Sequence, residues 1–215
     1  MFFYRIARAL ITPIVYGMFR LRYVGVENLP QQGGYIICCN HRSFWDPVLI
    51  ALGVRRHRLN FMAKKELFRN KLVGALITSL GAFPGSRGRG DVGAVRYAEN
   101  ILSEKKVLLI FPEGTRSKNG QPRRGKPGAA RIAADTGAPV IPAAICCDRH
   151  RLGFRSRVTV CFGPPITDHP VVLEENSRNE DIRRFGDLIM EKIVLLMNRH
   201  LEKPVTLPED REDSR

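Results

Sequence analysis

The stretch Tyr35-Ile36-Ile37-Cys38-Cys39-Asn40-His41-Arg42-Ser43-Phe44-Trp45-Asp46-Pro47 sets the frame for reading the chain. Its first five residues are apolar throughout, the pattern of a strand buried on both faces. Pro47 suits the first turn of a helix, predicted over 47–52, and makes Asp46 a natural N-cap. An apolar strand, a short loop and a helix form the repeating unit of an α/β domain. The unit leaves His41 in the strand-to-helix loop, where functional groups of open sheets lie.

The same alternation continues outward. Residues 60–62, 107–111, 140–145 and 158–162 read as further strands, several of them apolar throughout. Residues 67–80, 92–102 and 128–136 have helical spacing or composition. A helix starting near Asp181 carries Ile182, Phe185, Ile189, Ile193 and Leu196 on one face, which should close the domain. The expectation is a single α/β domain over 25–200, with a mixed, largely buried sheet flanked by helices. From Leu201 the chain turns polar, and 201–215 reads as a tail that frays.

Residues 1–24 form a separate N-terminal segment, apolar but punctuated by Arg5, Arg8, Arg20 and Arg22. The uncharged stretch from Ala9 to Phe19 is shorter than the ~20 apolar residues that span a bilayer. No small-residue cleavage site follows it, so a signal peptide is not expected. The pattern suits a helix lying in the membrane interface with arginine heads at the phosphates. A helix packed on the core with its arginines exposed is the alternative. The arginines named above, with the cluster Arg55-Arg56-His57-Arg58, are expected to face anionic headgroups.

The chain has 215 residues, 44% of them hydrophobic, enough for a sizeable core and against wholesale disorder. Its 35 basic and 21 acidic residues leave a net charge of +14, so its partners should be anionic. Charge alone does not choose among nucleic acid, acidic lipid and phosphorylated small molecules. The strands show no aromatic–basic interleaving and no nucleic-acid motif, so nucleic acid is not expected as a partner. The five cysteines lie in apolar runs without metal-ligand spacing and read as buried hydrophobes in a reducing compartment.

Three elements carry chemistry. If the Asp46 carboxylate accepts a proton from one nitrogen of His41, the other can take a proton from a hydroxyl. No enzyme serine is then needed. The two residues alone also allow a structural reading, with Asp46 capping a helix and His41 satisfying a loop. In Pro112-Glu113-Gly114-Thr115-Arg116-Ser117, which leaves the end of a strand, Gly114 permits a tight turn. Thr115 and Arg116 add donors suited to a phosphate. The glycine-rich loop Gly81–Gly90 offers Arg87, which either holds a phosphate or keeps the loop soluble. It lacks the Lys-Ser/Thr ending of a nucleotide P-loop.

Together these elements resemble the glycerolipid acyltransferase family, above all the bacterial 1-acylglycerol-3-phosphate acyltransferases, over roughly residues 23–165. Asn40-His41-Arg42-Ser43-Phe44-Trp45-Asp46 matches the family's His-x4-Asp motif. Gly81 to Arg87 resembles the second motif, with Gly85-Ser86 in place of bulkier residues. Phe111–Ser117 matches the third in full, and Val140–Ile145, with Pro142 inside a hydrophobic strand, matches the fourth.

The resemblance implies that His41 acts as general base and that Asp46 orients it. It assigns Arg87, Glu113, Gly114, Thr115 and Arg116 to the substrate phosphate, and gives Pro142 a part in shaping the acyl site. It implies acyl-CoA or acyl-carrier protein as donor, lysophosphatidate as acceptor, and no metal or organic cofactor. It places the enzyme as a peripheral or monotopic protein on the cytoplasmic face of the membrane. Another acceptor, such as glycerol 3-phosphate, a different lysophospholipid or an aminolipid, and a thioester hydrolase using the same pair are the alternatives.

Overall fold

Seven strands pair into one mixed sheet: β1 (Phe19–Val24), β2 (Tyr35–Cys39), β3 (Leu59–Lys64), β4 (Ala82–Gly85), β5 (Val107–Ile110), β6 (Val140–Cys147) and β7 (Ser156–Phe162). Their order across the sheet is β1-β7-β6-β2-β5-β3-β4. β6, β2, β5, β3 and β4 run parallel to one another; β7 runs against β6, and β1 runs with β7. The computed structural model describes residues 2–85, 92–149, 152–169 and 178–208.

The period of two in each strand sends its residues to two separate cores. Ile36 and Cys38 of β2 pack with α4 (Val92–Ser103), α5 (Gly128–Thr136) and α6 (Arg178–Asn198). Tyr35, Ile37 and Cys39 pack on the opposite face with α1 (Phe2–Met18) and α2 (Asp46–Gly53). The expected face of α6 is buried, from Ile182 to Leu196. All five cysteines are free and buried. The short helix α3 (Lys71–Ser79) joins neither core and leaves Leu72, Val73 and Leu76 exposed.

The N-terminal segment departs from expectation in its second part. The helix stops at Met18, and Phe19–Val24 is an edge strand pairing with β7. Phe19, Leu21 and Tyr23 face the core shared with α1 and α2, while Arg20 and Arg22 are exposed. The helix itself has two apolar faces. Ile11, Val15 and Met18 pack inward, while Phe3, Ile6, Leu10 and Ile14 form an exposed stripe at helical spacing. No helix among the described residues is long and apolar enough to cross a membrane.

Arg8 does not reach outward either. Its guanidinium donates to the carbonyls of Ala51 (2.8 Å), Leu52 (2.8 Å) and Val54 (3.0 Å), closing the C-terminus of α2. The Arg55–Arg58 loop lies between α2 and β3, at the end of the sheet opposite the His41 loop. There the His57 ring meets Tyr35 edge-on, and Arg58 donates to the Thr78 carbonyl. At the other terminus, residues 201–208 are not wholly loose. Val205 is buried, and its amide and carbonyl are both held by the side chain of Asn198.

Candidate active site

β2 ends at Cys39, but its ladder does not. Asn40 is buried, its Oδ1 accepting from the Ile145 amide (2.8 Å) and its Nδ2 donating to the Ile145 carbonyl (3.2 Å). A side chain thus completes the pairing with β6 while the main chain turns away from the sheet, and the turn presents His41. In the sequence Asn40 is only a neighbour of the His-x4-Asp motif, because its role depends on where β6 lies.

The expected meeting of His41 and Asp46 is present in the structure. His41 Nδ1 lies 2.7 Å from Asp46 Oδ2, and the carboxylate is fully buried. The same oxygen accepts the amides of Arg42 (2.6 Å) and Ser43 (2.7 Å). Asp46 is therefore not the N-cap of α2: Trp45 stands at that position, and Asp46 lies in the first turn with its carboxylate bonded to the preceding loop. A carboxylate at Nδ1 fixes the tautomer with the proton there, leaving the Nε2 lone pair directed outward. Nε2 has no partner among the described residues.

The loop after β5 grips His41 from the other side. The His41 amide donates to Glu113 Oε1 (2.9 Å), and the His41 carbonyl accepts from the Ser117 amide (2.7 Å). The imidazole lies on the Phe111 ring, centroids 4.0 Å apart and planes 18° from parallel. Glu113 Oε2 accepts the amide of Arg123 (3.1 Å), so one buried carboxylate ties three segments together. Burial is the main cause that lifts this carboxyl to about 7. The two amides and the Arg123 charge oppose the rise, and Asp46 adds to it.

The two carboxylate oxygens of Glu113 thus both serve backbone amides. Gly114 turns with φ of 69°, and a side chain there would crowd Lys126. Arg123 Nη1 donates to Thr115 Oγ1 (3.3 Å), and Arg116 is exposed on the same loop. Arg123 and Lys126 thereby join Thr115 and Arg116 around the Gly114 turn. Arg87 lies outside the described residues.

Pro142 is buried within β6, paired with Cys38, and with Leu196 it fills the space beside Gly163. Its carbonyl accepts the Gly163 amide where the chain leaves β7, so its missing N–H falls at a strand end. It sits in the packed interior beneath α6.

The sequence model described as Acyltransferase matches residues 20–146, more than half of the chain. The chain belongs to this acyltransferase family. It is 36% identical over 118 residues to a Bacillus subtilis protein named 1-acyl-sn-glycerol-3-phosphate acyltransferase, covering 55% of this chain and 58% of the relative. A Streptococcus pneumoniae protein of the same name is 34% identical over 169 residues, covering 76% of this chain and 62% of the relative. The chain thus spans about three fifths of the length of these relatives. The crystal structure of the 1-acyl-sn-glycerophosphate acyltransferase PlsC from Thermotoga maritima superposes with a TM-score of 0.61 and 25% identity. That match covers 91% of this chain and 77% of the other. The mixed sheet with an N-terminal helix is thus the acyltransferase fold.

Proposed function

We propose that the protein transfers an acyl group from a thioester, acyl-CoA or acyl-carrier protein, to the free hydroxyl of 1-acylglycerol 3-phosphate, giving phosphatidate. The observation that carries this reading is the grip between two loops. His41 donates to Glu113 and accepts from Ser117, so a histidine–aspartate pair stands beside a cationic turn. The proteins named above for this activity support the same substrate.

In this reading His41 Nε2 removes the acceptor hydroxyl proton as its oxygen attacks the thioester carbonyl. The carbon–sulfur bond then breaks, and the imidazolium returns the proton to the leaving thiolate. Asp46 holds the ring and faces the charge that develops on it. Thr115, Arg116 and the turn at Gly114 receive the acceptor's phosphate, joined by Arg123, Lys126 and Arg87. Glu113 serves this site through the backbone it fixes, since a carboxylate facing a phosphate would repel it. Pro142 acts on any acyl site only through the packing of β6. In this reading the exposed stripe of α1 rests on the membrane surface and supports a peripheral position, and the cytoplasmic origin of thioester donors favours the cytoplasmic face.

The deciding assay is phosphatidate formation from lysophosphatidate in detergent micelles, with each donor in turn and His41→Ala alongside. Product from the native protein and a loss of about 10³-fold or more in the variant is the expected result. Equal activity in the variant overturns the mechanism. No product with either donor, from folded protein, overturns the acceptor.

A further inference from the structure

A second cationic site lies on the open edge of the sheet, three strands across from the one that leads to His41. Arg20, Arg22, Arg155 and Arg157 line one surface groove of about 640 Å³, together with Tyr16, Gly17 and Thr159. The register of β1 and β7 sets Arg20 directly beside Arg157, and both side chains are exposed. Neighbouring like charges on paired strands oppose sheet formation. Among the described residues none of the four guanidinium groups is in an ion pair. Asp148 is the carboxylate nearest in sequence to Arg155 and Arg157, and it accepts the Arg157 backbone amide.

The fourth arginine is held in place by unusual means. Arg155 adopts a φ of 59°, rare for a residue with a side chain, and its amide donates to the Met18 carbonyl (2.6 Å). The turn between β6 and β7 is thereby fastened to the end of α1. This joins the groove to the exposed apolar stripe of that helix, for Phe3, Ile6, Leu10 and Ile14 lead at helical spacing to Gly17, which lines the groove. An apolar stripe ending in a cluster of uncompensated guanidinium groups matches the cross-section of a lipid monolayer, acyl chains beside phosphates.

We propose that this groove binds the phosphate headgroups of anionic phospholipids, as a docking site separate from the catalytic centre. The inference rests on the reading of the chain as an enzyme working at a lipid surface. Planar guanidinium forks take phosphate oxygens in pairs, and four of them accommodate one or two phosphodiesters at once. Arg8 has no share in this, since its guanidinium is occupied at the end of α2.

The test is co-sedimentation of the full chain with phosphatidylcholine vesicles containing 0 or 30 mol% phosphatidylglycerol, in 0.1 M salt. The anionic lipid should raise partitioning of the native protein by about 10-fold or more. Arg20→Ala/Arg157→Ala should abolish most of that gain while micellar activity stays native and the melting temperature does not fall. Removing the same charge from α6 with Arg183→Ala/Lys192→Ala should leave the gain intact.

Equal loss in both double variants reduces the effect to net charge and overturns the groove. Unchanged lipid binding by Arg20→Ala/Arg157→Ala, with a raised KM for acyl-carrier protein, assigns the groove to an acidic protein and overturns it equally. Equal binding of native protein to neutral and anionic vesicles overturns the groove but leaves the surface reading standing. Binding to neither vesicle overturns both, and micellar activity then shows whether the acyl transfer itself survives.

Discussion

The imidazole of His41 lies flat against the ring of Phe111, with centroids 4.0 Å apart and planes 18° from parallel. His41 belongs to the loop after β2 and Phe111 to the residue just past β5, neighbouring strands in the sheet. The stack therefore couples two motifs that are 70 residues apart in sequence, and it fixes a ring that Asp46 holds at one nitrogen only.

Removing the face on which the ring rests should leave the His41–Asp46 bond but widen the range of ring orientations. Misplacement of a catalytic group by about 1 Å costs on the order of 10²-fold in rate. Phe111→Ala should thus lower kcat by 10- to 100-fold, by this order of magnitude, with KM little changed. Phe111→Tyr, which keeps the aromatic face, should restore most of it. Steady-state kinetics on both variants checks this, and a pure KM effect would contradict it.

Asn40 makes a prediction about stability rather than rate alone. Its amide group satisfies both the N–H and the C=O of Ile145 in a fully buried strand. Asn40→Ala leaves both groups without a partner where water does not easily replace it, a loss of roughly 2–4 kcal/mol. Asn40→Asp keeps the acceptor but turns a buried carboxylate oxygen toward the Ile145 carbonyl, and should lose at least as much as Asn40→Ala. Denaturant unfolding of the three proteins orders them, and an Ala variant as stable as native would remove Asn40 from this role.

The elements read most easily from sequence were those whose physics is local. β2, β5 and β6 are apolar throughout because both their faces are covered, and α6 shows its buried face in its spacing. β1 escaped because Phe19-Arg20-Leu21-Arg22 follows directly on a helix, and its arginines look like a continuation of the basic pattern before them. The period of two was the signal there, with Phe19, Leu21 and Tyr23 on one face. β4 is short, contains Pro84 and borders glycines, all cues for a loop. At the site, the spacing of His41 and Asp46 around a loop allowed their partnership but also a structural reading, and only the resemblance of the motifs favoured the pair. The inward duty of Glu113 was not legible, because its partners are backbone amides of two segments brought together only by the sheet.

Arg8 shows the same limit from the opposite side, a charged residue of a greasy helix used for structure. Three α2 carbonyls accept from it, and the helix dipole favours its charge there. Arg8→Ala should cost about 1–3 kcal/mol, a fall of roughly 2–10 °C in melting temperature for a chain of this size. Arg8→Lys should recover only part, because a single ammonium cannot span three acceptors. A thermal melt of each variant gives the answer; no change for Arg8→Ala would leave α2 closed by other means.

Glu113 sets a pH dependence whose sign follows from its burial. Its carboxyl ionises near 7 in the folded chain, against about 4.5 ordinarily. Between those values the folded state holds a proton that the unfolded state releases, so stability falls as pH rises through that window. The contribution is fully present below about 4.5 and is gone above about 7. Its size is roughly 3 kcal/mol. Glu113→Gln cannot ionise, and its amide turns one donor toward a backbone N–H, which costs about 1–3 kcal/mol where it is buried. The variant should therefore be less stable than native at pH 5, with the gap narrowing or reversing by pH 8. Unfolding free energies of both proteins across that range test the sign, and parallel curves would show that Glu113 does not hold the proton.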